Sequence, residues 1–322
     1  MWRLVPALVL LMAVGTVARA QPADRVGRVA YVSGGPILPG LQKTLEHALA
    51  ETGWRTGKNL LIDYRSAEGQ YDRLPGIVED VLRLKPDVIM SSQTPTTQAI
   101  RKVTSAIPIV MVGHGDPVLY GLVSSLARPE GNITGVSFNV NEVGVKVLEL
   151  LKEAAPAVRR VGVFVNPENV GAASLIEAAR AAAPHLGLAI RAVEVSTIAS
   201  LEQALADLSK EGVDALSLGP EAFIIANRRR ILDFAAAHRL PAVGASVAFA
   251  DSGALLAYAP HAPSILRVAA RYTDKLLRGA RPADLPIEQP DRFELIVNGK
   301  TAKTLGLALS PALLARADRL IE

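Results

Sequence analysis

Short apolar runs, too brief for helices, alternate with helix-period patterns along almost the whole chain. Strand-like runs fall at 26–33, 60–65, 88–91 and 109–112, and helical patterns at 38–52, 73–84 and 96–104 separate them. In the second of these helices Leu74, Ile77, Val78, Val81 and Leu82 share one face. A strand buried on both faces reads as a continuous apolar run, and pairing it in parallel requires a crossover, usually a helix. The spacing therefore predicts βαβ units and a parallel sheet covered on both sides. A second series follows, with strands at 161–165, 189–195, 215–218 and 242–245 and helices at 172–186, 201–210 and 226–238. Similar order and length in the two series predict an α/β fold of two doubly wound parallel-sheet lobes. One continuous sheet is the alternative, but open sheets that long are uncommon.

Between the series lie Gly131-Asn132-Ile133-Thr134-Gly135 and a helix at 142–153. The tail carries strand patterns at 255–258 and 293–297, helices at 265–277, 300–305 and 311–317, and an extended segment marked by Pro282, Pro286 and Pro290. A tail this long is expected to cross between the lobes and form a hinge. The N-terminal lobe is expected to comprise 21–134 plus about 259–285, and the C-terminal lobe 135–258 plus about 286–322.

Residues 1–20 have the grammar of a secretory signal peptide: Arg3, an apolar run from Leu4 to Val17, then Ala18-Arg19-Ala20 as a cleavage site. The run is short for a membrane span, which needs about 20 apolar residues. The alternative is an uncleaved anchor. Cleavage after Ala20 predicts a periplasmic protein. No cysteine occurs, so disulfides, thiolate metal sites, a lipid-bearing cysteine and a cysteine nucleophile are excluded. The formal charge of +4 falls to +2 once Arg3 and Arg19 leave, too weak a bias for nucleic acid.

In open parallel sheets, ligands bind beyond the carboxyl ends of the strands. The loops there supply Ser33 and Gly34, then Ser92, Gln93 and Thr94, then His114 and Asp116 in the first lobe. The second lobe supplies Asn166 and Glu168, then Glu221, then Ser246. Free N–H groups at the following helix starts favour a ligand anion, and Ser and Thr hydroxyls assist. Asp116, Glu168 and Glu221 are candidates for a ligand ammonium. The same residue types also serve as ordinary caps and turns, and taken singly each position is open to that reading.

Catalytic and cofactor patterns are missing. There is no G-x-G-x-x-G, Walker loop or G-x-S-x-G elbow, and no pair of histidines has metal-binding helical spacing. A relay of His114, Asp116 and Ser92 or Ser33 in an exported hydrolase is the remaining enzymatic alternative. The expectation is a protein without catalytic residues, metal or cofactor.

Several phrases resemble one family of bacterial ABC-transporter substrate-binding proteins, the one that includes tryptophan/tyrosine-uptake proteins. They are Gly53-Trp54 with Gly57-Lys58-Asn59-Leu60, then Ala67-Glu68-Gly69-Gln70-Tyr71-Asp72-Arg73-Leu74-Pro75, then Gly115-Asp116-Pro117-Val118. Leu126-Ala127-Arg128-Pro129-Glu130-Gly131-Asn132-Ile133-Thr134-Gly135, His238-Arg239-Leu240-Pro241 and Phe293-Glu294-Leu295-Ile296-Val297-Asn298, with Lys300-Thr301-Ala302-Lys303, follow in the same order. The resemblance implies a type I periplasmic-binding-protein fold whose lobes close on a small polar ligand, such as an amino acid or related carboxylate. It also implies an ABC permease in the inner membrane as partner, with the protein acting as a monomer and making or breaking no bond. It points to the loop at 91–94, Asp116 and Asn166 as pocket positions. The chain departs from its relatives at Gly244-Ala245-Ser246 and Ala257-Tyr258-Ala259, where an aromatic and a Ser-Tyr-Gly phrase are usual. An aromatic-stacking pocket is therefore not carried over. A module serving a sensor kinase or chemoreceptor would have the same lobes. A DNA-binding repressor with this architecture would need a helix-turn-helix, and none precedes the first strand.

Overall fold

The computed structural model describes residues 26–322. The signal segment and its cleavage site lie outside them. Strand β1 (Gly27–Ser33) leads through α1 (Leu41–Glu51) to β2 (Leu60–Ser66), and α2 (Leu74–Arg83) leads to β3 (Val88–Ser92). Helix α3 (Thr94–Val103), β4 (Ile109–His114) and β5 (Ile133–Ser137) complete a five-stranded sheet of order β2-β1-β3-β4-β5, parallel throughout. Its two faces are both covered. Val29 and Tyr31 join one apolar cluster and Ala30 and Val32 the other, as the two-residue repeat of a strand requires.

The second lobe begins with α4 (Val140–Ala154), β6 (Arg160–Val165), α5 (Ala172–Leu186), β7 (Ala189–Glu194), α6 (Ile198–Glu211) and β8 (Ala215–Leu218). Then come α7 (Ala222–Ala226), α8 (Arg228–Ala237), β9 (Ala242–Gly244), α9 (Val247–Asp251) and β10 (Leu256–Pro260). Helix α10 (Ala262–Leu277) returns to pack on α1 and on β3, β4 and β5 of the first sheet. The chain then re-enters the second lobe as β11 (Phe293–Asn298), α11 (Gly299–Leu305), α12 (Pro311–Ala315) and β12 (Arg319–Ile321). The second sheet has seven strands in the order β12-β11-β10-β9-β8-β6-β7. The two sheets are separate, so the two-lobe reading holds and the single-sheet alternative does not.

Three details differ from the sequence reading. Strand β5 occupies residues to which the sequence pattern assigns no element. Strand β11 runs antiparallel to β10, because the proline-marked segment brings the chain back from the opposite direction. Strand β12 adds an edge too short for a pattern to reveal.

The lobes are joined near Ser137, His261 and Arg292. The Ser137 N–H donates to the Glu288 carbonyl at 3.0 Å, and the His261 N–H to the Arg292 carbonyl at 2.9 Å. Glu288 also accepts from Arg271 and from the Tyr272 hydroxyl, each at 2.6 Å. These bonds tie the returning segment to β5 and α10.

Trp54 anchors α10 to the first lobe. Its ring lies in the apolar cluster with Leu49 and Leu277, and its indole N–H donates to Asp274 at 2.9 Å. Arg278 also binds Asp274, so removing the indole leaves that carboxylate partnered. Trp54→Phe is therefore expected to cost mainly packing, about 1–3 kcal/mol, read as a lower denaturation midpoint at unchanged slope.

Candidate functional site

The carboxyl ends of both sheets face one another across a narrow cleft with a cavity of about 60 Å³. The first lobe lines it with Gln93, Thr94, Gly113, Gly115 and Tyr120. The second contributes a polar end at Asn166, Asn169 and Glu221 and an apolar wall that includes Phe138, Val140 and Leu175.

Glu221 is the one charged side chain among the described residues lining the cleft. It caps α7 and is only 6% exposed. One carboxylate oxygen accepts from the N–H groups of Phe223 at 2.8 Å and Ile224 at 3.2 Å. The other accepts from the Asn166 amide at 3.2 Å. Asn166 is oriented for this because its own oxygen takes the Glu168 N–H at 2.9 Å. Burial pushes the Glu221 carboxyl above its ordinary value, against the hydrogen bonds that favour its charge. Tyr71 reaches across from the first lobe. Its hydroxyl is buried near Glu221 and Asn169 without a well-formed hydrogen bond, and burial and the carboxylate raise its pKa well above the usual value.

Opposite Glu221, Thr94 starts α3 and is buried in the cleft wall. Gln93 precedes it with φ 67° and ψ 146°, a region that residues other than glycine seldom occupy. The strain is held by its side-chain oxygen, which accepts from the Gly34 N–H at 3.0 Å and the Gly35 N–H at 3.3 Å. The Ser33 hydroxyl lies 3.5 Å from the same oxygen. Gln93 thus pins the first strand-end loop and points the start of α3 into the cleft.

The remaining predicted residues divide. Gln93, Thr94, Asn166 and Glu221 come together at the cleft. Ser33 and Gly34 lie behind Gln93 as its partners. Ser92 hydrogen-bonds Tyr31, whose hydroxyl burial pushes up to about 12. His114 ends β4 between two cleft glycines. Asp116 and Glu168 are exposed at the rim. The Asp116 carboxylate accepts from the N–H groups of Val118 at 2.9 Å and Leu119 at 3.1 Å, which shapes the turn carrying Tyr120. Ser246 precedes α9 without a capping hydrogen bond from its side chain and does not line the cleft. Tyr120, Phe138, Val140, Asn169 and Leu175 were not singled out from sequence. Two of them give the cleft an aromatic surface, from loops other than the one at 244–246. Among the described residues no group of three His, Asp or Glu side chains is placed to hold a metal ion, and no helix is long and apolar enough to cross a membrane.

The lobes touch across the cleft. The Tyr120 hydroxyl lies 3.2 Å from Ser174 Oγ, which in turn donates to the Gly171 carbonyl at 3.0 Å. Gly35 lies against Ala222, and Gly69 against Phe223. This is a closed arrangement.

Comparison with known proteins places the chain in a family and agrees with its fold. Residues 27–321 match the family model described as ABC transporter substrate binding protein. A tyrosine-binding protein of Clostridioides difficile is 27% identical over 272 residues, which cover 84% of this chain and 78% of that protein. The crystal structure of a conserved domain protein from Vibrio cholerae is 28% identical, with a TM-score of 0.84 over 92% of this chain and 100% of that one. A Streptococcus pneumonia ABC domain in complex with L-Trp is 22% identical, also with a TM-score of 0.84, over 92% of this chain and 99% of that one. The fold is that of type I periplasmic binding proteins. With the family model spanning both lobes and the cleft between them, the chain belongs to the ABC transporter substrate binding proteins.

Proposed function

We propose that the protein captures a zwitterionic small molecule, an α-amino acid or a related amino-carboxylate, between its lobes in the periplasm. The observation that carries this is the pairing, across one cleft, of a buried carboxylate that lacks a cationic partner with the N-terminal end of a helix. Glu221 receives the ligand ammonium, with Asn166 and Asn169 beside it. The ligand carboxylate faces the Thr94 hydroxyl and the start of α3, where the helix dipole favours negative charge and Pro95 leaves one N–H fewer than usual. The apolar wall of Phe138, Val140 and Leu175 takes the ligand side chain. The ligands of two similar proteins, tyrosine and L-Trp, support an amino acid.

The protein is exported through a signal peptide cleaved after Ala20, acts as a monomer and hands its ligand to an ABC permease in the inner membrane. No covalent step is assigned to it. Ligand binding draws an open–closed equilibrium toward the closed form. A thermal-shift screen of L-amino acids and small carboxylates tests this. A ligand present at a hundred times its dissociation constant is expected to raise the melting temperature by about 5 °C. A well-folded protein that no amino acid stabilises would count against the reading.

A further inference from the structure

Leu175 stands in the first turn of α5 and lines two cavities at once. One is the cleft between the lobes. The other is a packing gap inside the second lobe, of about 10 Å³, between α4, α5 and the sheet. That inner space is bounded by Gly144, Val147, Leu148, Ala179 and Ala245, with Ser217 its one hydroxyl. Gly219 and Pro220 also border both spaces, and Leu175 is the side chain from α5 that separates them.

The position of Leu175 depends on two glycines. A Cβ at Gly144 would fall 2.5 Å from Leu175 Cδ1, closer than real carbon contacts allow. A Cβ at Gly219 would fall 3.3 Å from Leu175 Cδ2. Gly144 sits inside α4, where glycine is intrinsically unfavourable. Its missing side chain is the space into which the leucine withdraws from the cleft.

We infer that Leu175 is a specificity-determining residue: it is the partition that sets how deep a ligand side chain can reach, and the glycine behind it sets where the partition stands. This rests on the proposal that the cleft takes an amino acid. Leu175→Ala joins the two cavities and lengthens the pocket. Gly144→Ala drives the leucine toward the cleft and shortens it.

The test is titration calorimetry of the mature wild type and both variants with L-alanine, L-leucine, L-phenylalanine and L-tryptophan. Differences of a few methylene groups in an apolar pocket are read as about tenfold to a hundredfold in affinity. L175A is expected to raise the affinity ratio of L-tryptophan to L-alanine by at least about tenfold over wild type. G144A is expected to move the same ratio the other way. Folded variants whose ranking matches wild type would overturn the inference. Indole supplies a readout that does not depend on the amino-acid proposal. An apolar cavity opened by truncation binds such a probe, so indole should raise the melting temperature of L175A by several degrees more than that of wild type. Equal indole shifts would overturn the partition. If no amino acid binds any of the three proteins while indole still separates them, the amino-acid reading fails and the partition stands.

Discussion

Glu221→Gln is expected to weaken ligand binding by at least about thirtyfold, because removing one member of a buried, hydrogen-bonded charge pair costs about 2–5 kcal/mol. Two effects act together. The ligand ammonium loses its counter-charge. The new amide must also place its NH2 group against a donor, either the Asn166 amide or the Phe223 and Ile224 N–H groups, since all three donors converge on the carboxylate. Asn166 cannot turn its oxygen to compensate without releasing the Glu168 N–H.

The same residue predicts a pH dependence in the ligand-free and ligand-bound protein. Burial holds the Glu221 carboxyl above its ordinary value of 4.5. Between that value and the raised one, the folded state binds more protons than the unfolded state. This stabilisation is present in full below the unfolded value and is lost as pH rises through the folded value. Without ligand, the wild type should therefore lose this share of stability across that window, and E221Q should not. With ligand the sense reverses, because the ammonium requires the ionised carboxylate. Affinity should fall toward tenfold per pH unit once pH drops below the raised value. Calorimetry from pH 4 to 8 reads both trends. An E221Q protein that binds like wild type would remove Glu221 from the site.

Gly35→Val tests closure without touching the polar pocket. A Cβ at Gly35 would lie 3.1 Å from Ala222 Cα and 3.2 Å from its Cβ, and valine adds two methyl groups toward α7. Ala222 belongs to the other lobe, so the collision exists only when the lobes meet. Overpacking of this kind costs about 1–3 kcal/mol, which predicts an affinity loss of about tenfold to a hundredfold. The ligand-free protein should unfold within about 0.5 kcal/mol of wild type, as for other surface changes. Gly69 makes a similar contact with Phe223, but its φ of +87° would add backbone strain to any substitution there, so Gly35 is the cleaner position. Unchanged affinity in G35V would mean that binding does not bring these surfaces together.

Much of the fold was legible because parallel strands buried on both faces leave continuous apolar runs, as at Val29 to Val32 and Val161 to Val165. Strand β5 was not, since Gly131, Asn132 and Gly135 carry turn chemistry that its neighbour β4 overrides. The one-turn helices α7 and α9 are too short for periodicity to register. At the site, the strand-end rule located the loops but could not say which polar groups face the cleft and which face one another. Ser33, Gly34 and Gln93 are a case in point: three residues from two loops bond mutually, and only Gln93 and its successor reach the cavity. Leu175 shows the opposite blindness. Its spacing in α5 reads as ordinary core packing, and only the fold sets it beside the cleft with glycines behind it.

The proposed function has the lobes grip an ammonium-bearing ligand and leave it chemically intact. Titration calorimetry of the mature protein with L-amino acids, followed by mass analysis of the compound released on denaturation, tests it most directly. Saturable one-to-one binding of at least one apolar or aromatic amino acid is expected, lost in E221Q, with the ligand recovered at its original mass. Absence of binding across the series, or recovery of an altered compound, would contradict it.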